Sequence, residues 1–225
     1  MQQTAFLFDS NNAHDWDEYI KSSSNKLAYN AIANWPSHWG VEPYPKTLIL
    51  EGVKSSGKTF LAKKWATASG AILIKQMHEL TESILDHHQA FIIEDFDSNW
   101  NEQNILHHFN AIAEKNKYLL ITTTKLPEIK LPDLSSRIKA SNKIVISLPD
   151  DEMMQLLIFK LFSNHSLIVT PEVINYLTKT LPREFPEIVT AIKKINSYAL
   201  EHKRKITVPL IKQIGLSYQL EGASS

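Results

Sequence analysis

The chain has 225 residues, of which 43% are apolar and 21% charged, with 24 basic and 24 acidic side chains and no cysteine. That length holds one full core plus a small appended domain. The balanced charge argues against a protein that grips nucleic acid by its phosphates alone, and the missing thiols exclude disulfides, cysteine nucleophiles and cysteine metal sites.

The nine histidines are scattered, and the adjacent pairs His87-His88 and His107-His108 point to different faces of a helix. They do not supply the four converging ligands of a structural zinc site. Met1 to Ser10 carries neither the basic residues nor the apolar stretch of a signal peptide. No apolar run approaches the ~20 residues that cross a bilayer. A cytoplasmic protein without a membrane span is expected.

Along the chain, Thr47-Leu48-Ile49-Leu50 reads as a buried strand, followed by a helix from Gly57 to about Ser69. Ala71-Ile72-Leu73-Ile74 is a second strand, and Leu80, Ile84 and Leu85 fit a short amphipathic helix. Ala90-Phe91-Ile92-Ile93 is a third strand, before a helix marked by Ile105, Leu106, Phe109 and Ile112. Tyr118 to Thr122 is a fourth strand and Ile144-Val145-Ile146 a fifth. Short, nearly continuous apolar strands separated by helices predict a doubly wound α/β domain with a parallel five-stranded sheet covered on both faces.

After Pro149-Asp150 the pattern turns wholly helical, over about Asp151–Phe162, Pro171–Thr178, Arg183–Leu200 and Val208–Leu216. In Thr170-Pro171-Glu172 a capping side chain precedes a proline suited to the first helical position. The expected domains are residues 13–149 for the α/β unit and 150–220 for a small all-helical lid, flanked by an N-terminal segment, 1–12, and a tail, 221–225.

Gly52-Val53-Lys54-Ser55-Ser56-Gly57-Lys58-Thr59 matches G-x-x-x-x-G-K-[ST] between a predicted strand and a predicted helix. Glycines let backbone N–H groups turn inward around phosphates, and the helix N-terminus adds partial positive charge. Lys58 is expected on the terminal phosphates and the Thr59 hydroxyl on Mg²⁺, with Phe60 next to the loop. The third strand ends in Glu94-Asp95, with Asp97 beyond. Carboxylates at the end of a buried strand are costly without a partner, and a Mg²⁺–nucleotide supplies one. Thr59, Glu94 and Asp95 are therefore the candidate metal ligands.

Among the 24 basic residues only Arg137, Arg183 and Arg204 are arginine. In a lysine-rich chain an arginine marks a need for the planar, forked guanidinium. Arg137 lies just before the fifth strand, Arg183 is read as opening a lid helix, and Arg204 belongs to a surface basic run.

Together these residues resemble the DnaA family of AAA+ P-loop ATPases in bacterial replication initiation. Trp16-Asp17-Glu18-Tyr19-Ile20, followed by Ser24-Asn25-Lys26-Leu27-Ala28, looks like that family's lead-in segment. The resemblance implies adenine contacts from Tyr19, Ile20 and Lys21. It places Thr124 at sensor 1, Arg137 at the arginine finger and Arg183 at sensor 2. It covers nearly the whole chain, which ends after the lid without the DNA-reading helix-turn-helix domain, so direct sequence-specific DNA binding is not expected. That arrangement resembles the Hda-like paralogues, which inactivate the initiator. In that group a short N-terminal motif binds the sliding clamp. Gln3, Phe6 and Phe8 of Gln3-Thr4-Ala5-Phe6-Leu7-Phe8 stand at its anchor positions, although Thr4 departs from its leucine and an edge strand packed on the same domain is the alternative.

Two further departures bear on catalysis: the family's paired aspartates are here Glu94-Asp95, and its frequent sensor 1 aspartate is Thr124. Both argue against efficient hydrolysis of the chain's own nucleotide and leave binding intact. The resemblance thus implies ADP or ATP with Mg²⁺ as cofactors, the DnaA initiator and the polymerase sliding clamp as partners, and room for a homo-oligomer. Arg137, Glu94, Asp95 and Thr124 would carry the chemistry. A helicase loader or transposition-type ATPase with the same core, and a small-molecule kinase, are the competing readings.

Overall fold

A computed structural model describes residues 19–37, 39, 46–74, 80–97, 99–165 and 167–215. The candidate clamp residues Gln3, Phe6 and Phe8, the lead-in residues Trp16 to Glu18 and the C-terminal tail lie outside these. Helix α1 (Lys26–Ala33) precedes strand β1 (Lys46–Gly52), helix α2 (Lys58–Ser69), strand β2 (Ile72–Leu73) and helix α3 (Glu82–His87). Strand β3 (Ala90–Ile93), helix α4 (Glu102–Glu114), strand β4 (Tyr118–Thr123), helix α5 (Pro132–Ala140) and strand β5 (Asn142–Ile146) complete the α/β unit.

The five strands are all parallel, in the order β2-β3-β4-β1-β5. Alternate strand residues face opposite layers, as the two-residue period requires. Leu48, Leu50, Ile92 and Leu120 pack with Ala28 and Ile32 of α1 and Leu61, Ala62 and Trp65 of α2. Ile49, Phe91, Ile93, Leu119 and Ile121 pack with Leu85 of α3, Ile105, Phe109 and Ile112 of α4, and Leu134 and Ile138 of α5. Right-handed crossovers explain this partition. The β1–β2 connection runs one way across the sheet and puts α2 on one face. Each later connection runs the other way and puts α3, α4 and α5 opposite.

Trp65 anchors the first layer, fully buried and stacked on Trp39 at 4.6 Å between ring centroids. Truncating such a side chain typically costs about 3–5 kcal/mol.

The lid is built from α6 (Asp151–Asn164), α7 (Pro171–Thr180), α8 (Phe185–Glu201) and α9 (Val208–Gln213), around its own cluster that includes Met154, Ile158, Phe162, Leu177, Ile188, Ile192 and Leu210. No helix among the described residues is long and apolar enough to cross a membrane.

The sequence-derived elements differ from these in a few places. β2 is only two residues long, and the readings assigned neither α1 nor α5. Pro171 does take the first helical position of α7, but the Thr170 side chain makes no capping hydrogen bond. Arg183 does not open a helix: α8 starts at Phe185 with Glu184 as its N-cap, because Pro186 at the second helical position sets the start.

Candidate functional site

β1 lies between β4 and β5, and the chain leaves it on the opposite face from the β4–β5 connection. This is a topological switch point, and the loop after the carboxyl end of β1 opens into the crevice where open α/β sheets bind ligands. That loop is Val53 to Gly57. Ser55 has φ +63° and Gly57 φ +93°, a left-handed pair that turns the backbone into α2. A Cβ at position 52 would lie 2.7 Å from Ser56 Oγ and 3.0 Å from the Ile146 carbonyl oxygen, so only glycine fits there.

Lys58 is buried, and its ammonium donates to the Gly52 carbonyl at 2.7 Å and the Val53 carbonyl at 2.9 Å. Burial pulls its pKa below the usual lysine range, and the charge of Asp95 opposes that shift. The loop carbonyls hold the ammonium at the mouth of the cradle.

Glu94 and Asp95 follow the end of β3. Burial raises the Glu94 carboxyl above its ordinary range, the Thr59 hydroxyl bonded to it pulls down, and the Asp95 charge raises it further. Its Oε1 is buried without a hydrogen-bond partner among the described residues. Asp95 has φ +53°, a left-handed conformation tolerated by aspartate, and its amide donates to Thr122 Oγ1 at 3.2 Å. The sequence readings singled out Thr124, which is exposed. Thr122 and Thr123 on β4 are the residues that hold the acidic turn, since Thr123 Oγ1 donates to the Phe96 carbonyl at 2.6 Å and the Phe96 amide donates to the Thr122 carbonyl at 2.9 Å. Two adjacent threonines at the end of a buried strand were the available signal.

On the other side of the loop, the Tyr19 ring covers Gly57, where a Cβ would meet it at 3.1 Å. Tyr19 stacks between Phe60, with centroids 5.1 Å apart, and Tyr29 at 5.8 Å, and the Lys21 ammonium lies 4.4 Å from the centre of the Tyr29 ring. Burial pushes the Tyr19 hydroxyl well above the usual phenol range. Ile20 packs against the lid cluster. The structure therefore brings Tyr19, Gly57 and Phe60 together, and Thr59 with Glu94.

The two expected functional arginines sit elsewhere. Arg137 is on α5, in the layer opposite α2. Its Nε is 3.7 Å from the carboxylate of Asp133, one turn earlier, and has no hydrogen-bond partner among the described residues. Arg183 donates to the Pro149 carbonyl at 2.7 Å and pairs with Asp151, so it is tied to the hinge between core and lid.

Residues 150–214 match the family described as "Hda, lid domain". The chromosomal replication initiator protein DnaA of Aliarcobacter butzleri is 24% identical over 231 residues, an alignment covering 90% of this chain and 52% of that protein. This chain thus spans about half the length of the curated initiators it matches. Domain III of the Thermotoga maritima replication initiation protein DnaA superposes with a TM-score of 0.68 at 15% identity, covering 92% of this chain and 98% of that one. AMPPCP-bound DnaA from Aquifex aeolicus superposes with a TM-score of 0.63 at 20% identity, covering 88% of this chain and 68% of that one. The lid thus matches the Hda lid family, and the chain as a whole has the α/β AAA+ fold and is similar to the DnaA initiators over nine tenths of its length.

Proposed function

We propose that this protein binds ADP or ATP with Mg²⁺ at the β1–α2 loop and acts on replication initiation by promoting hydrolysis of ATP held by the DnaA initiator. Nucleotide binding is supported by the loop motif, by its position at the switch point, and by the AMPPCP carried by a fold relative. The backbone amides of Gly52 to Thr59 and the Lys58 ammonium would neutralise the phosphates. Phe60, Tyr19, Ile20 and Lys21 would flank the base. Thr59, Glu94 and Asp95 fit a Mg²⁺ site, because the Thr59 hydroxyl bonds to the Glu94 carboxylate, the Asp95 charge acts on that carboxylate, and Glu94 Oε1 lacks a partner among the described residues. Bound Mg²⁺ would neutralise phosphate charge.

The observation that carries the regulatory role is the placement of Arg137. Its helix lies across the sheet from α2, and its guanidinium is assigned to a neighbour's nucleotide. Arginine fingers contribute roughly 10³–10⁵ in rate, or about 4–7 kcal/mol. Arg183, beside the hinge, is assigned to the chain's own phosphates and Thr124 to the sensor 1 position. Gln3, Phe6 and Phe8 are assigned to the sliding clamp.

The test follows ATP hydrolysis by DnaA with and without this protein, in the presence of DNA-loaded clamp. Accelerated hydrolysis that needs the clamp supports the reading. An unchanged rate with both proteins folded and nucleotide-loaded would overturn it.

A further inference from the structure

Asn25 stands at the N-cap of α1, a position where asparagine normally spends its side chain on the first turn of the helix. Here it makes no capping bond. The residue is buried, 2% exposed, and its amide is directed backwards along the chain. Oδ1 accepts from the Ser22 amide at 3.0 Å and Nδ2 donates to the Ile20 carbonyl at 2.8 Å. Nδ2 also lies 4.0 Å from Met153 Sδ of the lid. The amide thus closes the backbone of residues 20–25 into a compact loop, and a buried polar side chain with both ends occupied holds such a loop firmly.

That loop is joined to both halves of the site. At one end Tyr19 covers Gly57 and stacks on Phe60. At the other, Ser23 Oγ donates to Asp150, whose second carboxylate oxygen caps α6 through the Met153 amide at 2.7 Å. The Ser147 amide donates to the Ser24 carbonyl at 3.0 Å, and Ser24 Oγ donates to Met153 Sδ at 3.2 Å. The segment that flanks the start of α2 is therefore fixed by one side chain and moored to the hinge of the lid.

We infer that Asn25 is a positioning residue of the nucleotide site: through its bonds to the backbone of Ile20 and Ser22 it sets where Tyr19 and Ile20 stand against the base. This rests on the nucleotide-binding reading above and adds a separation of roles. The phosphate half of the site depends on the β1–α2 loop, and the base half depends on Asn25. Misplacing the base half by about 1 Å is enough to lose much of its contribution.

The experiment compares wild-type protein with Asn25→Asp, which keeps size and the Oδ1 acceptor and removes the Nδ2 donor. Titration with a fluorescent adenine nucleotide reads the whole site, and competition by inorganic tripolyphosphate reads the phosphate half. The expected result is a tenfold or greater loss of nucleotide affinity, with tripolyphosphate affinity within twofold of wild type. A purely structural role would weaken both ligands in step with a lower melting temperature, and that result, or nucleotide affinity within twofold of wild type, overturns the inference. Ser23→Ala, at an exposed position, gives a second reading should Asn25→Asp not fold. It is expected to weaken the nucleotide two- to fivefold and leave tripolyphosphate unchanged, and equal effects on both overturn the inference. Wild-type protein that binds neither ligand would instead remove the nucleotide-binding reading itself.

Discussion

The Lys58 ammonium donates to the carbonyl of Gly52 at 2.7 Å, so the charge proposed for phosphate is held by the last residue of β1, where the loop begins. Phosphate binding at this site must exchange those carbonyl bonds for stronger, charge-assisted ones.

Lys58→Ala is therefore expected to weaken adenine-nucleotide binding by about 10–100-fold, since a hydrogen bond to a charged group contributes roughly 1.5–3 kcal/mol. Fluorescence titration measures it. Affinity equal to wild type would remove the loop from the binding site. A second effect is expected in the melting curve, because the Gly52 and Val53 carbonyls lose their shared donor.

The two arginines are expected to separate. Arg137→Ala should leave the chain's own nucleotide affinity unchanged and lower stimulation of DnaA hydrolysis by roughly 10³-fold or more. Arg183→Ala should weaken the chain's own nucleotide binding, because this guanidinium stands at the hinge with Pro149 and Asp151. Parallel titration and hydrolysis assays decide it, and matched losses in both variants would refute the division.

At the N-terminus, the double change Phe6→Ala, Phe8→Ala is expected to abolish binding to immobilised sliding clamp and leave the melting temperature unchanged. Aromatic anchors carry most of the energy of small interfaces. The opposite pattern, a lowered melting temperature with no clamp binding by the wild type, would assign the segment to packing on its own domain.

Acid sensitivity is expected from His108. It lies 2% exposed on α4, with neither ring nitrogen bonded among the described residues. Burial, reinforced by the neighbouring His107 charge, holds its pKa below the ordinary value of 6.5. A proton therefore binds the unfolded chain more readily than the folded one. The stabilisation is whole above the unfolded pKa of about 6.5 and drains away as pH falls from there towards the depressed folded value. Melting temperatures between pH 7.5 and 5 should fall less steeply in His108→Leu than in wild type. Identical slopes would show that His108 does not contribute.

Much of the core was legible because buried parallel strands are short continuous apolar runs. Ala90 to Ile93 is a strand with the very bounds its composition indicated, and all four of its residues are buried. The loop between β1 and α2 was legible for a related reason: its glycines and lysine are close in sequence, so their spacing already encodes the turn. α5 was not, although Pro132 at its start was a usable signal, because its apolar stripe amounts to Leu134 and Ile138 alone.

What the sequence determined by itself was the order of the five strands, the loop and the acidic strand end, all local patterns. Only the tertiary structure decided which sheet face carries Arg137, that Arg183 is held at the hinge, that Thr122 supports Asp95, and that Asn25 wires the lead-in segment to the lid. These are meetings of distant positions: Ser23 and Asp150 are 127 residues apart, and Asp95 and Thr122 are 27 apart. Local propensity does not encode them, since they exist only once the right-handed crossovers have laid the strands side by side and the lid has closed over Ile20.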